Sequence, residues 1–178
     1  GTTTAKGLVG RIGSLVGRAA LTGFTAGAFA VGTLGTATPA SAAGSCSNVE
    51  VVFARGTNEA PGVGATGQAF VDALNARLPG KTVDVYGVSY PASLNFGQAV
   101  DGITDASNRI EAIAASCPST KIVLGGYSQG AAVAGYTTAD AVPAGVDLPV
   151  GLAVMPPAVA SHVSAVVLFG TPDERFMN

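Results

Sequence analysis

From residue 49 onward, short apolar runs alternate with amphipathic stretches. Residues 49–54 (VEVVFA) are almost continuously apolar and predict a buried strand, which Arg55-Gly56-Thr57-Asn58-Glu59 leaves as a loop. Residues 67–78 repeat Phe70, Val71, Leu74 and Leu78 at helical spacing, and Pro79-Gly80 stops them. Residues 82–88 alternate valines with polar side chains, the pattern of a half-buried strand near a sheet edge. After a Tyr90-Pro91-Ala92 loop, residues 96–116 carry Val100, Ile103, Ile110 and Ile113 on one helical face, with Asp105 and Arg109 as an i,i+4 pair on the other. A third strand precedes a helix that runs to about residue 141. Four prolines among the apolar residues 142–163 mark a long surface excursion. Residues 165–169 (AVVLF) close the pattern as a fourth strand, apolar enough to be buried on both faces, and an exposed, aggregation-prone edge where no fifth strand follows it. Strands alternating with helices predict an α/β fold: a three-layer sandwich around a parallel sheet, with a ligand crevice at the C-terminal ends of the strands.

The third strand ends in a chemically distinctive turn. Residues 121–132 read KIVLGGYSQGAA, and Gly126-Tyr127-Ser128-Gln129-Gly130 fits G-x-S-x-G, the strand-to-helix turn that lifts a serine hydroxyl clear of the backbone. A Cβ at either glycine would collide with the neighbouring strand or helix. The N–H groups of the following helix face the same point and favour an oxyanion there. With 25 glycines in the chain the pattern is only moderately specific, and an ordinary Gly-rich βα turn is the bland alternative. A phosphate loop fits less well, because no Lys-Ser or Lys-Thr follows the glycines.

The first 42 residues have a different character. Lys6, Arg11 and Arg18 precede an uncharged Ala/Gly/Thr/Leu/Phe stretch that ends in Thr-Pro-Ala-Ser-Ala-Ala, the layout of a secretory signal cut after Ala42 or Ala43. An uncleaved membrane anchor is the alternative; once the signal is cut, no stable membrane insertion is expected. Residues 43–178 then form one domain in an exported or cell-envelope protein. All 11 acidic residues lie in that part with 6 of the 9 basic ones, a balance that argues against nucleic acid as a partner. Its two cysteines, Cys46 and Cys117, suit one disulfide in an oxidising compartment, worth about 4 kcal/mol for a loop of that length. Two cysteines and a single histidine make no metal site, and no cofactor is implied. The pattern fixes no oligomeric state.

Together these residues resemble the cutinase family of small secreted serine esterases. The resemblance rests on Cys46 before the first strand, Ala54-Arg55-Gly56-Thr57 after it, Cys117-Pro118, Gly125 to Ala131, and Val167-Leu168-Phe169-Gly170. It spans residues 46–172 and implies an α/β-hydrolase fold with five parallel strands, of which four are present. It also implies Ser128 as nucleophile, Thr57 and Gln129 as oxyanion-hole donors, a Cys46–Cys117 disulfide, and an ester or lipid-like substrate. Arg55 either positions the Thr57 loop by bonding to backbone carbonyls or is a solvated loop arginine.

The chain departs from the family in one respect. The order of a hydrolase of this kind is serine, acid, histidine, and the last two are expected beyond Asn178. His162 precedes the fourth strand and so lies at the wrong end of the sheet, a strand's length of roughly 20 Å from Ser128. Asp173 follows that strand and suits an acid, without a histidine to orient. Since loss of the base costs about 10⁶ in turnover, the 178 residues are expected to be a shortened form of a longer enzyme. The competing expectation is a non-catalytic acyl-chain-binding or cell-envelope interaction module.

Overall fold

The computed structural model describes residues 44–140 and 152–172; the expected signal segment, the first half of the excursion and Asp173 lie outside them. The structure is built on β1 (Val49–Ala54), whose period-two alternation feeds two cores at once. Val51 and Phe53 face α1 (Gly64–Arg77), joined there by Phe70, Val71 and Leu74. Val52 and Ala54 face the opposite layer, where Ile110 and Ile113 of α2 (Ala99–Ser116) and Val133 and Ala134 of α3 (Gln129–Thr137) close over the sheet. That arrangement is the expected three-layer sandwich.

Among the described residues the sheet has four parallel strands in the order β2-β1-β3-β4, with β2 at Val83–Gly87, β3 at Lys121–Tyr127 and β4 at Val163–Phe169. Phe53, Phe70 and Phe169 form an aromatic cluster with centroids 5.9–6.4 Å apart, which fastens α1 across β1 to the end of β4. β2 is an edge strand, as its alternation predicts. β4 is the other edge, not a strand buried on both faces: Val166 is 41% and Leu168 43% exposed. Continuous apolar character marks a doubly buried strand only where another element covers it, and among the described residues β4 pairs with β3 alone.

Other differences from the sequence reading have local causes. Helix α1 begins three residues early because its N-terminus is capped from a distance: the Glu59 carboxylate accepts the Ala65 N–H at 3.0 Å. A 3₁₀ turn (Phe96–Gln98) precedes α2, and the helix buries Gly102, Ala106, Ile110 and Ile113, leaving Val100 and Ile103 half-covered. The Asp105–Arg109 pair does not form. Arg109 Nε donates to Glu50 at 2.6 Å, while Asp105 accepts from the Tyr86 hydroxyl and the Ser89 N–H. Glu50 is 6% exposed in its side chain, so a cation there offsets far more desolvation than an exposed pair on one helix would.

Helix α3 ends at Thr137, short of residue 141. The described half of the excursion is not wholly superficial: Met155 is buried in the α2/α3 core, and a helical turn, α4 (Pro157–Ala160), leads into β4. Among the described residues no helix is long and apolar enough to cross a membrane.

Cys46 and Cys117 are joined, with Cα atoms 5.5 Å apart across a separation of 71 residues. Alanine at both positions is expected to lower unfolding free energy by about 4 kcal/mol in the chain-entropy account. Denaturant unfolding of the parent and the double variant under non-reducing conditions measures this.

Candidate active site

The central strands stop together. Ala54 pairs with Gly126 in register, so the turn after β1 and the turn after β3 leave the sheet side by side. Ser128 sits on the second turn at φ 53°, ψ −120°, a strained conformation for a residue with a Cβ, costing of order 1–3 kcal/mol. Two contacts hold it there. A Cβ on Gly126 would overlap the Gly130 carbonyl oxygen, and one on Gly130 would overlap the carbonyl oxygen of Ala54, so α3 can start directly against β1 only with glycine at both places. The Ser128 N–H donates to Phe169 O at 2.9 Å, tying the turn to the end of β4. Its carbonyl accepts from Ala131 and Ala132, the first turn of α3.

Thr57 stands three residues past the end of β1. Its backbone N–H and that of Gln129 have no hydrogen-bond partner among the described residues, nor does the Ser128 hydroxyl. Unengaged N–H groups on two turns that leave adjacent strands are the kind of donors that stabilisation of a tetrahedral oxyanion requires.

Arg55 holds the Thr57 turn from below. It is 4% exposed, and Nε donates to Glu59 O at 2.8 Å, Nη1 to Val88 O at 3.4 Å, and Nη2 to Tyr90 O at 2.8 Å. The Arg55 reading that stands is therefore the positioning one; the solvated alternative fails. Among the described residues no carboxylate lies within ion-pair distance of this guanidinium, and the Tyr90 ring, 5.2 Å from it, adds a cation–π contact. Glu59 closes the turn, its carboxylate accepting the Gly56 N–H at 2.6 Å. Asn58 takes a left-handed φ of 61°, which its short polar side chain tolerates. The Gln129 side chain, 4% exposed, reaches across to the next loop, where Nε2 donates to Ser93 O at 2.9 Å.

The contributions of Glu59, Tyr90, Ser93 and the Gln129 side chain were not read from the sequence. Glu59 and Asn58 belong to a polar run whose turn chemistry was legible; the roles of Tyr90 and Ser93 arise only from the meeting of distant loops.

His162 is not part of this site. Its carbonyl accepts the Ile122 N–H at the start of β3, and Ser128 lies six positions further along, roughly 20 Å away at strand rise. Among the described residues no three His, Cys, Asp or Glu side chains group as a metal site needs.

A parallel sheet with helices on both faces and a strained serine turn at its C-terminal edge defines the α/β-hydrolase class. A family model described as Cutinase matches residues 45–177, and the chain belongs to the cutinase family. It is 48% identical over 160 residues to phospholipase Culp4 of Mycobacterium tuberculosis, covering 87% of this chain and 67% of that protein. Carboxylesterase Culp1 of Mycobacterium bovis is 48% identical over 132 residues, 74% of this chain and 54% of its own. The structure of Trichoderma reesei cutinase in complex with a phosphonate inhibitor superposes with a TM-score of 0.56 at 39% identity, over 71% of this chain and 53% of that one. The chain thus spans between about half and two thirds of the length of these relatives.

Burial pushes the Tyr90 phenol up to about 12; the Arg55 charge opposes the rise and Glu59 adds to it. Its hydroxyl donates to Arg55 O at 2.5 Å and must stay protonated to do so. Because the folded value lies above the ordinary 10, the stability this hydrogen bond contributes is fully present below pH 10 and is lost as pH rises toward about 12. The Tyr86 phenol is also raised, by burial and by the Asp105 carboxylate, so absorbance titration at 295 nm should show late-titrating phenol absorbance that Tyr90→Phe reduces by one phenol, and the variant's stability should fall less steeply across that interval.

Proposed function

We propose that this chain carries the nucleophile and oxyanion hole of an exported carboxylic-ester hydrolase that works through an acyl-enzyme. Ser128 Oγ attacks the ester carbonyl as its proton passes to a general base outside the described residues. The charge on the carbonyl oxygen is met by the Thr57 and Gln129 N–H groups. The C–O bond of the ester breaks, the alcohol leaves with a proton, and water then frees the acid from the serine. The observation that carries this reading is the strained Ser128 turn flanked by two N–H groups without partners among the described residues.

The similar proteins are named carboxylesterase, phospholipase and cutinase, which supports an ester or lipid-like substrate. Residues 1–42 are proposed as the export signal, on their basic, apolar and Ala-x-Ala order. A second reading, an acyl-chain-binding or cell-envelope module, is favoured by one observation: Ser128 Oγ has no base within reach among the described residues.

Hydrolysis of a short-chain p-nitrophenyl ester by the complete reading frame containing this chain, beside Ser128→Ala, separates the two. Esterase function predicts a loss of at least about 10⁴-fold in kcat on removing the nucleophile. Equal turnover by parent and variant would leave only the binding reading.

A further inference from the structure

The Thr57 turn and the Ser128 turn come from distant parts of the chain, yet both are fastened to one run of four consecutive backbone carbonyls, the first to those of Tyr90, Pro91 and Ala92 and the second to that of Ser93. Arg55 Nη2 donates to Tyr90 O at 2.8 Å and to Pro91 O at 3.4 Å. The Asn58 N–H, next to Thr57, donates to Ala92 O at 2.7 Å. Gln129 Nε2 donates to Ser93 O at 2.9 Å. The Tyr90 hydroxyl returns a bond to Arg55 O. In the middle, Ala92 is 1% exposed and held at φ 48°, a left-handed conformation that alanine adopts only under constraint.

We propose that residues 90–93 form a positioning plate that fixes the separation of the two oxyanion donors, with the Gln129 side chain as the positioning residue that anchors its own backbone N–H to that plate. The inference rests on Ser128 being the nucleophile. Two donors on separate elements stabilise a developing charge only if both stand 2.7–3.1 Å from one point, and a displacement of about 1 Å can cost roughly 100-fold. The turns meet directly where Gly130 packs against the Ala54 carbonyl and Gly56 against the Tyr127 ring, van der Waals contacts that limit how closely they approach. The plate adds directional hydrogen bonds to both.

The Gln129 amide carries a second signature of function. Nε2 is used, but Oε1 is buried with no partner among the described residues. A buried acceptor without a partner destabilises, so a side chain retained for packing alone would serve better without it. The same position costs stability and joins the two halves of the site, as preorganised sites do.

The test compares Gln129→Met, which keeps the volume and the backbone N–H while deleting the amide, with the parent and Ser128→Ala in the complete protein. The plate predicts that kcat for a p-nitrophenyl ester falls by roughly 10- to 100-fold, that KM stays within about twofold, and that the melting midpoint is unchanged or higher. Unchanged kcat in a Gln129→Met protein whose Ser128→Ala counterpart is dead would overturn the plate and leave the hydrolase reading intact. Full turnover in Ser128→Ala would instead remove that reading, and the plate with it. A fall in kcat matched by a lowered melting midpoint would overturn the positioning role, since it marks a packing residue. Should Gln129→Met fail to fold, Tyr90→Phe decides from the Thr57 side: a kcat loss at constant KM supports the plate, and no loss overturns it.

Discussion

The site depends on a single close approach, α3 starting with Gly130 against the carbonyl oxygen of Ala54. Everything at the C-terminal edge follows from that distance. A helix that begins so near the sheet leaves no room for a relaxed connection from β3, so Ser128 is forced into its positive-φ turn. The same approach brings the unengaged N–H groups at the start of α3 beside the turn that leaves β1. Strain of a few kcal/mol is sustained because the sheet register, the Ser128–Phe169 backbone bond and the glycine contacts all fix the turn independently.

A buried arginine then sets the floor. Backbone carbonyls surround the Arg55 guanidinium, with no carboxylate in ion-pair contact with it among the described residues. The Glu59 carboxylate closes the same turn at the Gly56 N–H. The cation therefore acts as scaffolding, its hydrogen bonds to carbonyls of two loops fixing the turn that carries Thr57.

The backbone of this account was legible in the residues. Four strands, the helices between them, the serine turn and the disulfide follow from apolar periodicity, from glycine placement around Ser128 and from cysteine count. Three readings failed because the deciding partner lies outside the local pattern. Asp105 and Arg109 have the spacing of a helix pair, but Tyr86 and Glu50 lie across the layer and compete successfully. Residues 165–169 have the composition of a central strand without a covering element among the described residues. Helix α1 starts early because its cap comes from Glu59, outside the helix altogether. In the candidate site, Thr57 and Ser128 could be singled out from motif and resemblance. The convergence on the carbonyls of residues 90–93 could not, because Arg55, Asn58 and Gln129 meet them only once distant loops have folded together.

The disulfide sits at the opposite end of the strands from Ser128, and its placement bears on how the sheet assembles. Cys46 lies three residues before β1 and Cys117 four before β3. These two strands are neighbours in the sheet, but about 70 residues separate them along the chain, the kind of parallel pairing whose loop-closure entropy makes folding slow. Once the sulfurs are joined, the starts of β1 and β3 are already adjacent, and the most distant pairing at the centre of the sheet becomes a nearly local one. An oxidised chain therefore begins its search with the starts of the two central strands tethered together, and a reduced chain must find that contact by diffusion.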